Sequence, residues 1–277
     1  MRSYLGQNFL INKIKIKEII DVLELKAGDV VIEIGPGHGE LTEELRIKND
    51  ELKIIAIEKD KLLAQELSKN FQFSIFNFQS NSKFQFQNNK IIIIGDALKL
   101  LPQITNNKKL ITNNYKLIGN IPYYITGHLL RIIGELENKP ELIVLTVQKE
   151  VAERICVKPP KMNLLAASVQ FWAKPEIVGY IPKKDFNPVP DVDGAIIRLT
   201  TYDRRLTTNE TEKYYKLIKI LFKQPRKTII NNLIYGFQNL TKAEIIERLI
   251  KLKINPEARP QDLDVKNITD LSELIYQ

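Results

Sequence analysis

The stretch VVIEIGPGHGELT at residues 30–42 decides the fold. A β-branched run ends at Ile34, glycines follow at Gly35, Gly37 and Gly39, and a helical pattern takes over from Leu41. Glycines at such a turn let the backbone bend sharply and approach a ligand with no Cβ in the way. The first N–H groups of the helix then point at whatever sits above the strand end. The spacing G-x-G-x-G differs from the G-x-G-x-x-G of a turn that holds a pyrophosphate. The unit therefore reads as strand, turn and helix facing a ligand, with no demand for a phosphate.

Similar units recur on either side. Strand-like runs are expected at 30–34, 53–57, 91–94, 115–118 and 142–147, with amphipathic helical stretches such as 41–48 and 61–69 between them. This alternation predicts a mostly parallel sheet covered by helices, an α/β fold. The near-continuous apolar run IIII at 91–94 suits a sheet buried on both faces. Two later strands are expected at 177–181 and 195–199, joined by the proline-rich FNPVP at 186–190. After residue 201 the strand signal stops and the chain reads as helices. The boundary is placed near 203, giving a 1–203 ligand-binding domain and a 204–277 helical domain. The Phe-, Gln-, Asn- and Ser-rich stretch at 70–90 breaks the pattern and reads as an inserted hairpin or surface excursion without chemistry.

Composition bounds the class. Of 277 residues, 44% are hydrophobic and 27% charged, which excludes general disorder and fibrous repeats. No run of about 18 apolar residues suggests a membrane helix. A single cysteine, Cys156, excludes an intrachain disulfide and a cysteine-built metal site. The motif LGQNFL at 5–10 leaves little room for a removable leader, so a cytoplasmic protein is expected. Net charge is +8, and +5 of it falls in residues 204–277. Between 213 and 227 stand Lys213, Lys216, Lys219, Lys223, Arg226 and Lys227 with no acid. At helical spacing Tyr214, Leu217, Ile218 and Leu221 take the opposite side, so an amphipathic helix is expected, interrupted by Pro225 as it opens a second. The basic side, with Lys223, Arg226 and Lys227, is the candidate contact for nucleic acid.

Three further strand ends carry the chemistry. Glu58 closes the strand of KIIAIEKD about 20 residues beyond the glycines, where a carboxylate can accept both hydroxyls of a ribose. Asp96, in IIIIGDAL, is placed to accept a hydrogen bond from an adenine amine. The strand YKLIG runs into NIPYY at 120–124. The Asn120 side-chain oxygen and the Ile121 carbonyl can each accept one N–H of a planar exocyclic amine, turning the nitrogen lone pair toward an incoming methyl group. Pro122 pushes Ile121 out of the α region and fixes where its carbonyl points. Tyr123 offers a ring on which a base can stack, worth roughly 1–3 kcal/mol. Methyl transfer from a sulfonium needs position and electrostatics more than a strong base, so neither His38 nor His128 is required.

These motifs stand in an order that resembles the KsgA-type ribosomal RNA adenine dimethyltransferases. The likeness runs nearly end to end, from LGQNFL through EIGPGHGELT, IEKD, GDAL and NIPYY. It continues with VQKEVAERI at 147–155, IPKKDFNPVPDVDGAIIRL at 181–199, LFKQPRKTIINNL at 221–233 and RPQDL at 259–263. The resemblance implies a class I, Rossmann-like methyltransferase domain with a seven-stranded, mostly parallel sheet, followed by a small all-helical domain. It implies S-adenosyl-L-methionine as cofactor, S-adenosyl-L-homocysteine as product and no metal. Asn8 and Leu10 would help close the cofactor pocket, and Gly35, Glu58, Asp96 and Asn120 would contact the cofactor, with Gly37 in the same turn.

The implied substrate is a pair of adjacent adenosines in a hairpin near the 3′ end of 16S, small-subunit rRNA, each methylated twice on N6. A monomer acting on a 30S particle, away from any membrane, is the corresponding expectation. Pro225 stands where that family usually has a basic residue, and Met162 and Asn163 replace its usual Tyr-Gly. Two related readings are an erythromycin-resistance-type enzyme acting on 23S rRNA and a non-catalytic rRNA-binding assembly factor. PRKTIINNL and RPQDL favour the small-subunit reading over the first, and the intact Asn120, Pro122 and Tyr123 oppose the second. A nicotinamide-dependent dehydrogenase is disfavoured by the glycine spacing.

Overall fold

The computed structural model describes residues 7–49, 51–76, 89–111, 114–203 and 207–276. The described residues fall into two compact units, Met1–Ala152 with Pro175–Thr201, and Glu153–Lys174 with Tyr202–Gln277. Chain order runs β1 (Phe9–Leu10), α1 (Lys13–Val22), β2 (Val30–Ile34), α2 (Glu40–Lys48), β3 (Lys53–Glu58), α3 (Lys61–Phe71) and β4 (Ser74–Phe76). Next come β5 (Lys90–Ile94), α4 (Ala97–Thr105), β6 (Tyr115–Asn120), α5 (Thr126–Glu135), β7 (Leu142–Gln148), α6 (Lys149–Ile155) and α7 (Leu164–Gln170). The chain then forms β8 (Ala173–Ile181), β9 (Phe186–Asn187) and β10 (Gly194–Thr201), before α8 (Thr208–Leu221), α9 (Ile229–Gly236), α10 (Lys242–Lys251) and α11 (Val265–Ile275).

In the first unit the sheet order is β4-β5-β3-β2-β6-β7-β10-β8. All neighbours from β4 to β7 are parallel, and β10 returns antiparallel to β7. The central strands are buried along their length, as Val30–Ile34 illustrates, because helices cover both faces. The sheet has eight described strands against the seven expected. The additional one is β4, three residues at the edge drawn from the start of the 70–90 stretch; residues 77–88 of that stretch lie outside the described residues. Asp60 caps α3 by accepting the Leu62 and Leu63 N–H groups and Asp96 caps α4 by accepting that of Leu98, so the residues that end these strand–loop steps also start the next helix.

The helical unit has its own core. Tyr214, Leu217, Ile218 and Leu221 of α8 are all buried in it, which is the apolar side read from the sequence. The boundary at 203 needs a correction, however, because Glu153–Lys174 also belongs to this unit. Met162, Ala166, Ala167 and Phe171 pack into the helical core, the Phe171 ring stacks on Tyr214 at 3.7 Å, and the Tyr214 hydroxyl donates to the Ala167 carbonyl. Burying that much aromatic surface is worth a few kcal/mol. Pro225 is also corrected: α8 stops at Leu221 and α9 starts at Ile229 with Thr228 as its cap residue, so the proline lies in the connecting loop and not in a first turn. Among the described residues no helix is long and apolar enough to cross a membrane.

Candidate active site

Strands β2 and β6 are neighbours at the middle of the sheet, and the order of strands reverses between them, with β3 beyond one and β7 beyond the other. Loops leaving the carboxyl ends of two such strands part in opposite directions and open a crevice between them. The glycine turn after β2 and Asn120 at the end of β6 therefore face each other across a pocket, which the ends of β3 and β5 extend.

The turn has a specific need for glycine at one position. Gly37 has φ +61°, and a Cβ built there would stand 2.7 Å from Cε1 of Phe9. Its N–H donates to Glu58 Oε2 at 3.1 Å, while the Asp60 N–H donates to Glu58 Oε1 at 2.8 Å. Glu58 is only 2% exposed. Burial pushes its carboxyl above the usual range, against the opposing N–H bonds from Asp60, Gly37 and Lys59. Each oxygen keeps a second acceptor site for a ligand hydroxyl.

Asp96 accepts the Leu98 N–H through Oδ1 at 3.0 Å, and Lys59 Nζ lies 3.1 Å from its Oδ2. Partial burial pushes this carboxyl up, but the Lys59 and Leu98 hydrogen bonds and the charges of Lys59 and Lys99 outweigh it and hold the group below its ordinary value. Asn120 donates from Nδ2 to the Asn8 carbonyl at 2.9 Å. That bond orients the amide, leaving its Oδ1 as the free acceptor.

The segment carrying Asn8 is itself tied down. β1 pairs antiparallel with β9, the Ile11 N–H donates to the Asp185 carbonyl at 2.8 Å, and Asn12 Nδ2 donates to Asp185 Oδ2 at 2.9 Å. The Phe9 ring lies 4.6 Å from that of His38. Below the turn, Glu33 is fully buried, with Oε2 accepting the Thr42 hydroxyl at 2.7 Å and Oε1 without a described partner. Desolvation pushes its carboxyl up to about 8, the Thr42 bond opposing and the Glu40 and Glu58 charges assisting.

Of the residues singled out in the sequence, Asn8, Leu10, Gly35 and Gly37 line one pocket with Glu58, Asp96, Asn120 and Pro122. Ile121 is buried. Tyr123 is half-buried, its hydroxyl enclosed without a described partner, and burial assisted by the Asp193 charge pushes it up to about 12. Neither residue contributes to the pocket wall, whereas Tyr124, 66% exposed, does. Sequence reasoning also passed over Phe9, Glu40 and Lys59, which line the pocket as well. The run IEKD placed Lys59 beside Glu58, but only the fold brings it to Asp96. Lys223, Arg226 and Lys227 are exposed in the helical unit, in and beside the loop after α8. Among the described residues no group of three or more His, Cys, Asp or Glu side chains could hold a metal ion.

A family model described as ribosomal RNA adenine dimethylase matches residues 1–277. A ribosomal RNA small subunit methyltransferase A from Dehalococcoides mccartyi is 35% identical over 266 residues, which cover 96% of this chain and 85% of that protein. Among solved structures, a dimethyladenosine transferase from Plasmodium falciparum superposes with a TM-score of 0.74 at 25% identity, covering 95% of each chain. The 23S rRNA methyltransferase ErmE superposes with a TM-score of 0.69 at 22% identity over 98% of this chain and 100% of that one, a likeness of fold.

Proposed function

Since this chain belongs to the ribosomal RNA adenine dimethylase family, we propose that it is an S-adenosyl-L-methionine-dependent enzyme that dimethylates N6 of adenosines in small-subunit rRNA. The observation that carries the reading is the pocket at the β2–β6 switch point, where acceptors for a nucleoside and a free amide oxygen for an amine converge. Its donor set suits this cofactor. Glu40, Glu58 and Asp96 line it, with Lys59 paired to Asp96, so a polyphosphate would meet an excess of carboxylates while a cationic sulfonium would meet opposite charge. Glu58 would hold the ribose hydroxyls, Asp96 the adenine amine, and Gly35, Gly37, Asn8 and Leu10 the surrounding walls.

The bound cofactor supplies an electrophilic methyl group that needs no metal. The adenosine amine is a poor nucleophile because its lone pair is delocalised into the ring. Asn120 Oδ1, left free by the bond from Nδ2 to Asn8, accepts one N6–H, and the Ile121 carbonyl, directed by Pro122, accepts the other. The amine would thereby be held with its lone pair toward the methyl group; as the new N–C bond replaces the donor's S–C bond, the N6 proton would pass to water, so the gain is one of position that needs no general base. Tyr123, whose hydroxyl keeps its proton at neutral pH, offers its ring to the base. The target base leaves its stack to enter.

In its finer form the reading is a monomer in the cytoplasm acting on the 30S particle, at two adjacent adenosines in a hairpin near the 3′ end of 16S rRNA. The name of the Dehalococcoides mccartyi relative supports the small subunit as target. The test supplies labelled S-adenosyl-L-methionine with 30S particles lacking the modification, and separately with large-subunit RNA. Label on two adjacent small-subunit adenosines is expected. Label confined to the large subunit would overturn the assignment.

A further inference from the structure

The outer face of α9 serves neither methyl transfer nor the helical core. Ile229, Ile230 and Leu233 turn inward and are buried, whereas Asn231, Ile234 and Tyr235, spaced as i, i+3 and i+4, share the outward face. Tyr235 is 63% exposed. A side chain at Gly236 would run into Ile220, so α8 and α9 approach closely at that point. The approach brings the end of α8 beside Tyr235, with Lys223 Nζ 4.5 Å from the centre of its ring. The loop between the helices is held in shape from below, because buried Asn232 donates from Nδ2 to the carbonyls of Gln224 and Thr228 at 3.1 and 3.2 Å.

Charge says what such a surface meets. From Lys213 to Ala243 the chain carries seven Lys and Arg residues and not one Asp or Glu. An aromatic ring open to solvent beside several cations is the combination that binds unstacked nucleotides, the ring taking a base and the cations its phosphates. A paired duplex offers no free base face, so the ring selects for single-stranded RNA. Resting on the rRNA reading above, we infer that Tyr235, with Lys223, Arg226 and Lys227, is a docking site for an unpaired nucleotide that flanks the hairpin of the RNA substrate. Its base stacks on Tyr235 and its flanking phosphates contact the three cations. The helical unit then recognises a single-stranded element of the folded RNA in addition to duplex backbone.

The full chain and its Tyr235→Ala and Tyr235→Phe variants are titrated with two RNAs, the small-subunit hairpin with its single-stranded flanks and the same hairpin trimmed blunt. Tyr235→Ala is expected to weaken binding to the flanked RNA by about 5- to 150-fold, the range set by loss of one stacked base. Binding to the blunt hairpin, the salt slope, cofactor affinity and melting temperature should not move, and Tyr235→Phe should bind as the parent does. Equal binding of the flanked RNA by Tyr235→Ala and the parent overturns the inference. So does an equal loss on both RNAs. Failure of the underlying reading shows in the parent itself, which would then bind neither RNA, and the docking site would fall with it.

Discussion

Replacement of Glu33 by glutamine should change the sign of nothing in the fold and yet remove a large pH dependence of its stability. The carboxyl is fully buried, and desolvation lifts it from 4.5 to about 8. Below pH 4.5 both folded and unfolded chains hold the proton, and the group is neutral to stability. Between pH 4.5 and 8 the unfolded chain releases the proton while the folded chain retains it, so the folded state binds more protons and stability falls as pH rises. Above 8 both are ionised and the loss is complete. At about 1.4 kcal/mol for each unit of pH, the span amounts to about 5 kcal/mol, an upper figure for one group. Glutamine keeps an acceptor for the Thr42 hydroxyl, whose bond to Glu33 Oε2 is 2.7 Å, and cannot ionise. Urea unfolding of parent and Glu33→Gln proteins from pH 5 to 8.5 should give a gap that shifts by several kcal/mol in favour of the variant as pH rises. Parallel curves would refute the reasoning and place a charged carboxylate in the native core.

Three further outcomes are expected. Asn120→Ala should lower the rate of transfer by at least 10²-fold, as loss of one oriented acceptor does, while calorimetry finds cofactor binding largely intact; full activity would remove Asn120 from the chemistry. Gly37→Ala should cost about 1 kcal/mol for its left-handed backbone, displace Phe9 and weaken cofactor binding by about tenfold or more, and an unchanged dissociation constant would show the turn to be tolerant. Joint reversal of Lys223 and Lys227 to glutamate should weaken RNA binding and reduce the slope of log affinity against log salt by about 1.4–1.8, a change absent if neither side chain meets a phosphate.

Much of this was legible because strand ends carry both pattern and chemistry. The glycine turn, Glu58, Asp96 and Asn120 each follow a run of β-branched residues, and a parallel sheet leaves all such ends on one side. Periodicity identifies an element but not its partner. The apolar helix LLAASVQ at Leu164–Gln170 sits in sequence between sheet strands, and only the contact of Phe171 with Tyr214 assigns it to the helical core. Pro225 is a helix breaker by covalent geometry, yet whether it opens the next helix depended on Thr228 taking the cap. In NIPYY the sequence singles out Tyr123 as the ring for a base. In the short 3-10 turn Tyr123–Ile125 it is Tyr123 that is partly buried, whereas Tyr124 is exposed and lies on the pocket wall. The pairing of Lys59 with Asp96 likewise joins two strand ends that only the sheet order brings together.

The pairing of β1 with β9 has a consequence for biosynthesis. The wall that carries Asn8 and Leu10 is made of residues that leave the ribosome well before its partner strand, Phe186–Asn187, and its anchor Asp185, which lies 173 residues beyond Asn12. A nascent chain can assemble the glycine turn and the first parallel strands early, since they are local. Its ligand chamber stays unlatched at one wall until the proline-rich loop arrives. Cofactor affinity should therefore appear abruptly, late in translation, and a ribosome stalled before residue 185 should display a nascent chain that is folded in part and unable to capture its methyl donor.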